Sequence, residues 1–228
     1  MNTQREQLIQ TWISTVLQSD QAEINFLAGD ASFRRYARIT LNNKTFMLMD
    51  APPEKEDCVP FVTIDEFFDT NGVRVPHIVA KDLEQGFLLL EDFGDVLLST
   101  QLDDKTVDAH YAQSFKQLIQ LQSIDGAGHF PAYSYEKLMT EMSLLTDWLL
   151  PSLQIQPSDD ESALIKRTFA ILANAALAQP QVIVHRDFHS RNLMLLVDEQ
   201  EQGVIDFQDA VIGADTYDLI SITRDAYV

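Results

Sequence analysis

Residues 4–18 place Leu8, Ile9, Trp12, Ile13, Val16 and Leu17 three and four positions apart. That period puts them on one face and predicts an amphipathic helix. The period then shortens. Ile24–Leu27, Ser32–Leu41 and Thr45–Asp50 read as strands, with Asn42-Asn43 forming a tight turn between the last two. Ala51-Pro52-Pro53 ends the third strand, because proline has no N–H to give to a ladder. A helix is expected from about Glu56 to Asp69, closed by Asn71-Gly72 as a left-handed cap. Two further strands are expected at His77–Lys81 and Phe87–Glu91.

After Gly94 the pattern is mostly helical. Asp103–Ile124 carries Val107, Tyr111, Phe115, Leu118 and Leu121 along one stripe, and Tyr135–Leu150 reads as a second helix stopped by Pro151. Ser158-Asp159-Asp160-Glu161 opens a third helix with a capping box, its acids beside the positive end of the helix dipole. Two short apolar stretches, Val182–Val184 and Val204–Ile205, each run straight into polar residues. The expected fold class is α+β and two-lobed. A small antiparallel sheet lobe, residues 1–93, precedes a larger helical lobe, residues 94–228, with a cleft between them.

Composition narrows the picture. The 228 residues are 46% hydrophobic, which describes a chain that folds around a core. Cys58 is the only cysteine, so no internal disulfide forms and a reducing compartment fits. Arg5, Glu6 and Asp20 interrupt the start in a way unlike a signal peptide, and no apolar run reaches bilayer length. A soluble, cytoplasmic protein with no membrane partner is expected. The formal charge of −19, from 35 acids against 16 Lys and Arg, argues against nucleic acid as a partner. Most of that charge is expected to be solvated surface, with a weak pull on cationic ligands.

Candidate chemistry lies in two clusters. In Val184-His185-Arg186-Asp187-Phe188-His189-Ser190-Arg191-Asn192, an Asp is followed five positions later by an Asn, as in a kinase catalytic loop. Asp187 suits a base that takes the proton of an attacking hydroxyl. The Asn192 carboxamide is a neutral oxygen ligand suited to Mg²⁺. In Gly203-Val204-Ile205-Asp206-Phe207-Gln208-Asp209, an apolar strand delivers Asp206 as a second Mg²⁺ ligand, with Gln208 where kinases carry glycine. A lone aspartate is usually a turn or cap residue; two such motifs in this order are not explained that way.

With these segments the chain resembles the aminoglycoside phosphotransferase and choline kinase group of small-molecule kinases, which have a protein-kinase-like fold. Within that group it is most similar to the bacterial anomeric kinases for N-acetylmuramate and N-acetylglucosamine. Gly29–Tyr36, Met49–Pro53, Phe87–Gly94, His185–Met194, Asp206–Ala210 and Asp215–Leu219 carry the likeness. The resemblance implies an enzyme that uses ATP and Mg²⁺ to phosphorylate a small-molecule acceptor, an amino sugar first, with a place in cell-wall recycling. An aminoglycoside or amino-alcohol kinase and a pseudokinase-like nucleotide-binding module are the alternatives.

The resemblance also implies roles for single residues. Ser32 and Phe33, in a loop whose backbone N–H groups cradle phosphate, would bind nucleotide, as would Leu90, Glu91 and Phe93 in the hinge around adenine. The Glu91 side chain is expected to be idle. His189 and Arg191 would flank Asp187 on the catalytic face, and Asp218 would hold the catalytic loop through its backbone. The third strand, Thr45–Asp50, lacks the lysine that kinases use to screen phosphate. Arg34, Arg35 or Arg38 is expected to replace it. Related kinases continue with several helices after the segment at Asp206, so an incomplete acceptor site is expected here, and no protein substrate. Ile212, Leu219, Ile220 and Ile222 are then expected to lie exposed, favouring a homo-oligomer.

Overall fold

The computed structural model describes residues 3–28, 33–196 and 201–228. Of the expected phosphate loop, Gly29–Phe33, residues 29–32 lie outside them, Ser32 included. Two compact units emerge: Met1–Ser114 with Ser190–Gln208, and Phe115–His189 with Asp209–Val228.

In the first unit, α1 (Thr3–Leu17) precedes β1 (Glu23–Phe26), β2 (Arg35–Leu41) and β3 (Lys44–Asp50). After these come α2 (Val59–Thr70), β4 (Ile78–Asp82) and β5 (Phe87–Glu91). The five strands form one antiparallel sheet in the order β1-β2-β3-β5-β4. Asn42 and Asn43 both have positive φ, 51° and 64°, as the tight β2–β3 turn requires. Ile9 and Ile13 of α1 bury themselves against Ala37, Ile39, Leu48, Phe87 and Leu89 on one sheet face. At the edge of that core the fully buried Asp50 accepts Arg5 Nε at 2.7 Å and Arg35 Nε at 2.9 Å. Arg5 also lies over the Phe87 ring, 4.7 Å from its centre. Two guanidinium partners are what makes a fully buried carboxylate tolerable.

The first unit also holds β7 (Leu193–Leu196) and β8 (Glu201–Val204), an antiparallel pair. This is why the division differs from the expected break at residue 93/94. Val204 N–H donates to the Arg74 carbonyl at 2.7 Å. Gln202 is buried between the Ser114 hydroxyl and the His110 carbonyl of α3 (Val107–Ser123). The Phe207 ring packs against Phe61 and Phe68 of α2, with centroids 5.0 and 5.8 Å away. Late chain thus supplies part of the early core.

In the second unit, α4 (Tyr135–Leu144) runs through a π-helical turn, Leu145–Leu149, into α5 (Leu150–Ser152). This continuous helical run ends at Ser152, one residue past the Pro151 stop that was expected. The capping box at Ser158 starts α6 (Asp159–Leu177) as read. Here β6 (Gln181–Val184) pairs antiparallel with β9 (Val211–Ala214), and α7 (Thr216–Thr223) follows. Leu219 and Ile220 are exposed, as expected of this region, but Ile222 is fully buried. No helix among the described residues is long and apolar enough to cross a membrane.

One buried acid gives the fold a pH signature. Asp65 of α2 is buried, and its Oδ2 has no hydrogen-bond partner among the described residues. Burial, then the nearby Asp69 and Glu66, push its pKa up to about 8. The unfolded chain loses this proton near pH 4 and the folded chain keeps it until about 8, so stability falls as pH rises between those values. Asp65→Asn should flatten the pH dependence of the urea midpoint from pH 5 to 8 and raise the midpoint at pH 8. An unchanged slope would show that Asp65 does not carry that proton.

Candidate active site

The catalytic-loop sequence leaves β6 at Val184 and turns sharply at Arg186, whose φ is +81°. A non-glycine residue in the left-handed region is strained and needs holding. Asp218, fully buried in the first turn of α7, does this by accepting the N–H groups of His185 at 2.7 Å and Arg186 at 3.0 Å. Burial pushes the Asp218 pKa up to about 7 against the pull of those two donors, and Asp187 adds to the rise. The role expected for Asp218 is the one it has. Asp187 itself is exposed. Its N–H donates to His185 Nδ1 at 3.3 Å and its carbonyl accepts the His189 N–H at 3.0 Å. The His185 ring is buried and meets the buried Phe188 edge-on.

The side chain of Arg186 extends this support. It pairs with Glu141 of α4 at 2.7 Å and lies 3.8 Å from Asp209, with its guanidinium over the Tyr133 ring. The other Glu141 oxygen accepts the buried Tyr133 hydroxyl, which also lies 3.3 Å from Tyr217 Oη. Sequence reasoning missed this network. Its members are scattered from residue 133 to 217, and no local spacing links them. His189 is half-buried with its ring edge-on to Tyr227, so its ring is engaged in packing. Arg191 is exposed.

In the first unit, Asn192 and Asp206 come together. The Asn192 carbonyl accepts the Ile205 N–H at 3.0 Å, one step beyond the Leu193–Val204 pair of the hairpin. Asn192 Nδ2 lies 3.4 Å from Asp206 Oδ2. Asp206 has φ +64°, which lifts its carboxylate out of the strand line, and the buried Phe207 pins it from behind. Gln208 donates its Nε2 to Asp206 Oδ1 at 2.8 Å, a role open to glutamine and not to the glycine that kinases carry here. Among the described residues no group of three or more His, Cys, Asp or Glu is poised to hold a metal. One carboxylate and one carboxamide make an incomplete oxygen set, which fits Mg²⁺, an ion that completes its octahedron with water and phosphate.

The hinge residues are more occupied than expected. Leu90 is buried. The Glu91 N–H is already donated to the His77 carbonyl at 2.8 Å, so it is not an open donor for adenine. The Glu91 side chain is not idle either. Its two oxygens accept Arg74 at 2.6 and 2.7 Å, which holds its pKa below the usual carboxylate range. The Phe93 ring lies under the Arg74 guanidinium and against Gly203, where any Cβ would meet it at 2.2 Å.

The three candidate arginines part company. Arg35 shares the α1-covered face with Ala37 and pairs with Asp50. Arg38 joins Asp92 at 2.6 Å and Asp95 at 2.7 Å, clamping β2 to the segment after β5. Arg34 pairs with Glu56 at 2.6 Å. Phe33 is exposed, with the Lys55 ammonium 5.3 Å from its ring centre.

Residues 23–228 match the model of the phosphotransferase enzyme family. The chain belongs to that family. Among its relatives, an N-acetylmuramate/N-acetylglucosamine kinase of Pseudomonas aeruginosa is 42% identical over 91% of this chain and 61% of its own length. A protein of the same name from Neisseria meningitidis is 36% identical, covering 99% of this chain and 68% of its own. The chain therefore spans about three fifths to two thirds of the length of these relatives. Solved structures show a kinase-like fold. The ADP-bound aminoglycoside phosphotransferase APH(2'')-Ib superposes with a TM-score of 0.66 at 18% identity, over 97% of this chain and 75% of that one. A choline/ethanolamine kinase family protein of Mesorhizobium loti gives 0.64 at 12% identity, over 96% and 70%.

Asp218→Ala should leave two buried N–H groups without an acceptor and lower unfolding stability by about 2–5 kcal/mol. Asp218→Asn keeps one acceptor oxygen and should lose less. Urea denaturation of the three proteins measures the order; equal stability would mean that the loop is held elsewhere.

Proposed function

We propose that this phosphotransferase moves the γ-phosphoryl group of ATP onto a hydroxyl of an amino sugar, N-acetylmuramate or N-acetylglucosamine, at the anomeric position. Phosphoryl transfer is supported above all by the pairing of Asn192 with Asp206 on adjoining ends of one hairpin. The amino-sugar acceptor is supported by the names of the relatives at 42% and 36% identity.

In this reading Asn192 and Asp206 hold Mg²⁺, which supplies positive charge at the phosphate oxygens when bound. Asp187, exposed on a loop tied down by Asp218, accepts the proton of the acceptor hydroxyl. The hydroxyl oxygen forms a bond to the γ-phosphorus, the bond from that phosphorus to the β–γ bridging oxygen breaks, and ADP departs. A base so placed contributes roughly 10²–10⁴-fold. Cytoplasmic residence, where ATP is plentiful, goes with this reading.

The charge of −19 favours a second reading, a kinase for a cationic aminoglycoside or amino alcohol. Surface acidity is screened within about 8–10 Å at physiological salt, so it attracts a cation without shaping a pocket. Specificity has to come from buried polar partners matched to the acceptor. A pseudokinase has no physical need to keep all of Asp187, Asn192 and Asp206.

Asp187→Asn should remove most turnover, at least about 10²-fold in kcat, and leave Mg·ATP binding nearly unchanged. Asp206→Ala should instead weaken Mg·ATP binding and raise the Mg²⁺ needed for half-maximal rate. Near-full activity in the first, or an unaltered Mg²⁺ requirement in the second, contradicts these assignments. For the acceptor, ³¹P NMR with ATP, Mg²⁺ and N-acetylmuramate, N-acetylglucosamine or kanamycin shows both substrate and position. A sugar 1-phosphate is expected; kanamycin phosphate alone would establish the second reading.

A further inference from the structure

Asp206 is exposed, so close packing does not decide which way its carboxylate points. We infer that Gln208 is a positioning residue of the metal site. By occupying Asp206 Oδ1 it leaves Oδ2, the oxygen that faces Asn192, as the single carboxylate oxygen offered to the cation. The inference rests on the metal-binding reading above and names what sets the geometry of that site and its preference for Mg²⁺.

The backbone around Asp206 is fixed from both sides. Before it, the Ile205 N–H donates to the Asn192 carbonyl at 3.0 Å, continuing the β7–β8 ladder. After it, the fully buried Phe207 ring is held against Phe61 and Phe68 of α2. With φ +64° at Asp206 itself, the main chain brings the carboxylate out of the strand line and into solvent. The side-chain torsions are what remain to be set. Gln208, half-buried in the turn that follows, sets them by donating its Nε2 to Oδ1 at 2.8 Å. Only the nitrogen end of the amide can make this bond, because an ionised carboxylate accepts and does not donate. The glycine that kinases carry at this place has no side chain with which to make it.

The two oxygens are not held alike. Oδ1 has a full hydrogen bond from Gln208, whereas Oδ2 lies 3.4 Å from Asn192 Nδ2, at the outer limit of one. Oδ2 is therefore the oxygen that a cation can take with little lost, and it lies beside the Asn192 carboxamide, the second ligand in the reading above. A carboxylate restricted to one oxygen suits Mg²⁺, a small ion that demands a near-ideal octahedron and fills much of it with water and phosphate. It suits Ca²⁺ less, since that larger ion takes more ligands and often both oxygens of one carboxylate. The hydrogen bond also lowers the cost of binding, because the carboxylate is already turned before the ion arrives. Gln208 thus acts through Asp206 and needs no contact of its own with the metal or the phosphates.

Uptake of Mn²⁺ by the protein in the presence of ADP, followed as loss of the free-ion EPR signal, reads the site directly, and displacement of Mn²⁺ ranks Mg²⁺ and Ca²⁺. Gln208→Met keeps the length without the donor and should raise the Kd for Mg²⁺ about 10-fold, the range for losing an outer partner of a metal ligand. The Kd for Ca²⁺ should rise less than about threefold, because the released carboxylate can offer both oxygens, so the preference for Mg²⁺ narrows. Gln208→Gly should give the same pattern and serves where the first variant does not fold. Adenosine affinity should stay at the wild-type value, which a general loss of folding would not allow. A Kd for Mg²⁺ unchanged in both variants, or equal losses for Mg²⁺ and Ca²⁺, would overturn the role of Gln208. Wild-type protein that takes up no Mn²⁺ with ADP present would instead overturn the metal reading beneath it.

Discussion

Asp218 accepts two backbone N–H groups from the start of the catalytic loop while having no exposed surface of its own. Much in the second unit depends on that contact. Without it, Arg186 would have no reason to stay at φ +81°, a conformation that costs of order 1–3 kcal/mol. Relaxing Arg186 would rotate the next residue, Asp187, away from its direction. The turn also sends the Arg186 side chain back to Glu141, and through it to Tyr133 and Tyr217. One buried carboxylate therefore sets both the direction of Asp187 and the polar network under it. A carboxylate suits the place because it can accept two N–H groups at once, which offsets part of its burial.

The first unit relies on a different device, the local neutralisation of charge. A chain with a net charge of −19 has few cations, and five arginines of its sheet unit are met by acids close at hand. Arg5 and Arg35 share Asp50, Arg38 bridges Asp92 and Asp95, Arg74 grips Glu91, and Arg34 meets Glu56. Where the acid is buried, as in Asp50 and Asp92, the pair adds little net stability, but breaking it leaves an uncompensated charge, so it enforces geometry. Asp50 fixes α1 to the sheet, Asp92 fixes the segment after β5, and Glu91 fixes Arg74 over Phe93. Apolar packing completes the arrangement: Phe207 between Phe61 and Phe68 keeps the Asp206 backbone in its left-handed turn.

Much of this was legible from residue order. The α1 stripe, the Asn42-Asn43 turn, the β5 strand and the Ser158 capping box are local patterns, decided by periods of two and 3.6 and by turn and cap chemistry within a few residues. The approach of Asn192 to Asp206 was legible for the same reason, since both stand at the ends of short strands that the local pattern marks. The sequence alone therefore determined most of the elements and the family to which the chain belongs. Tertiary structure decided what depends on partners far apart in the chain. It placed the β7–β8 hairpin with the sheet unit, because Gln202 and Phe207 find their cover in α3 and α2. It set a π-helical turn at Leu145–Leu149 ahead of Pro151, which the spacing of apolar residues does not reveal. It paired Arg35 with the buried Asp50 and made Arg38 a clamp, since strand alternation shows which side chains share a face but not what waits there. It also closed the Glu91 N–H to adenine by pairing it with His77. Charge partners fifteen to fifty-seven residues apart leave no periodic trace, and only the folded chain brings them within reach.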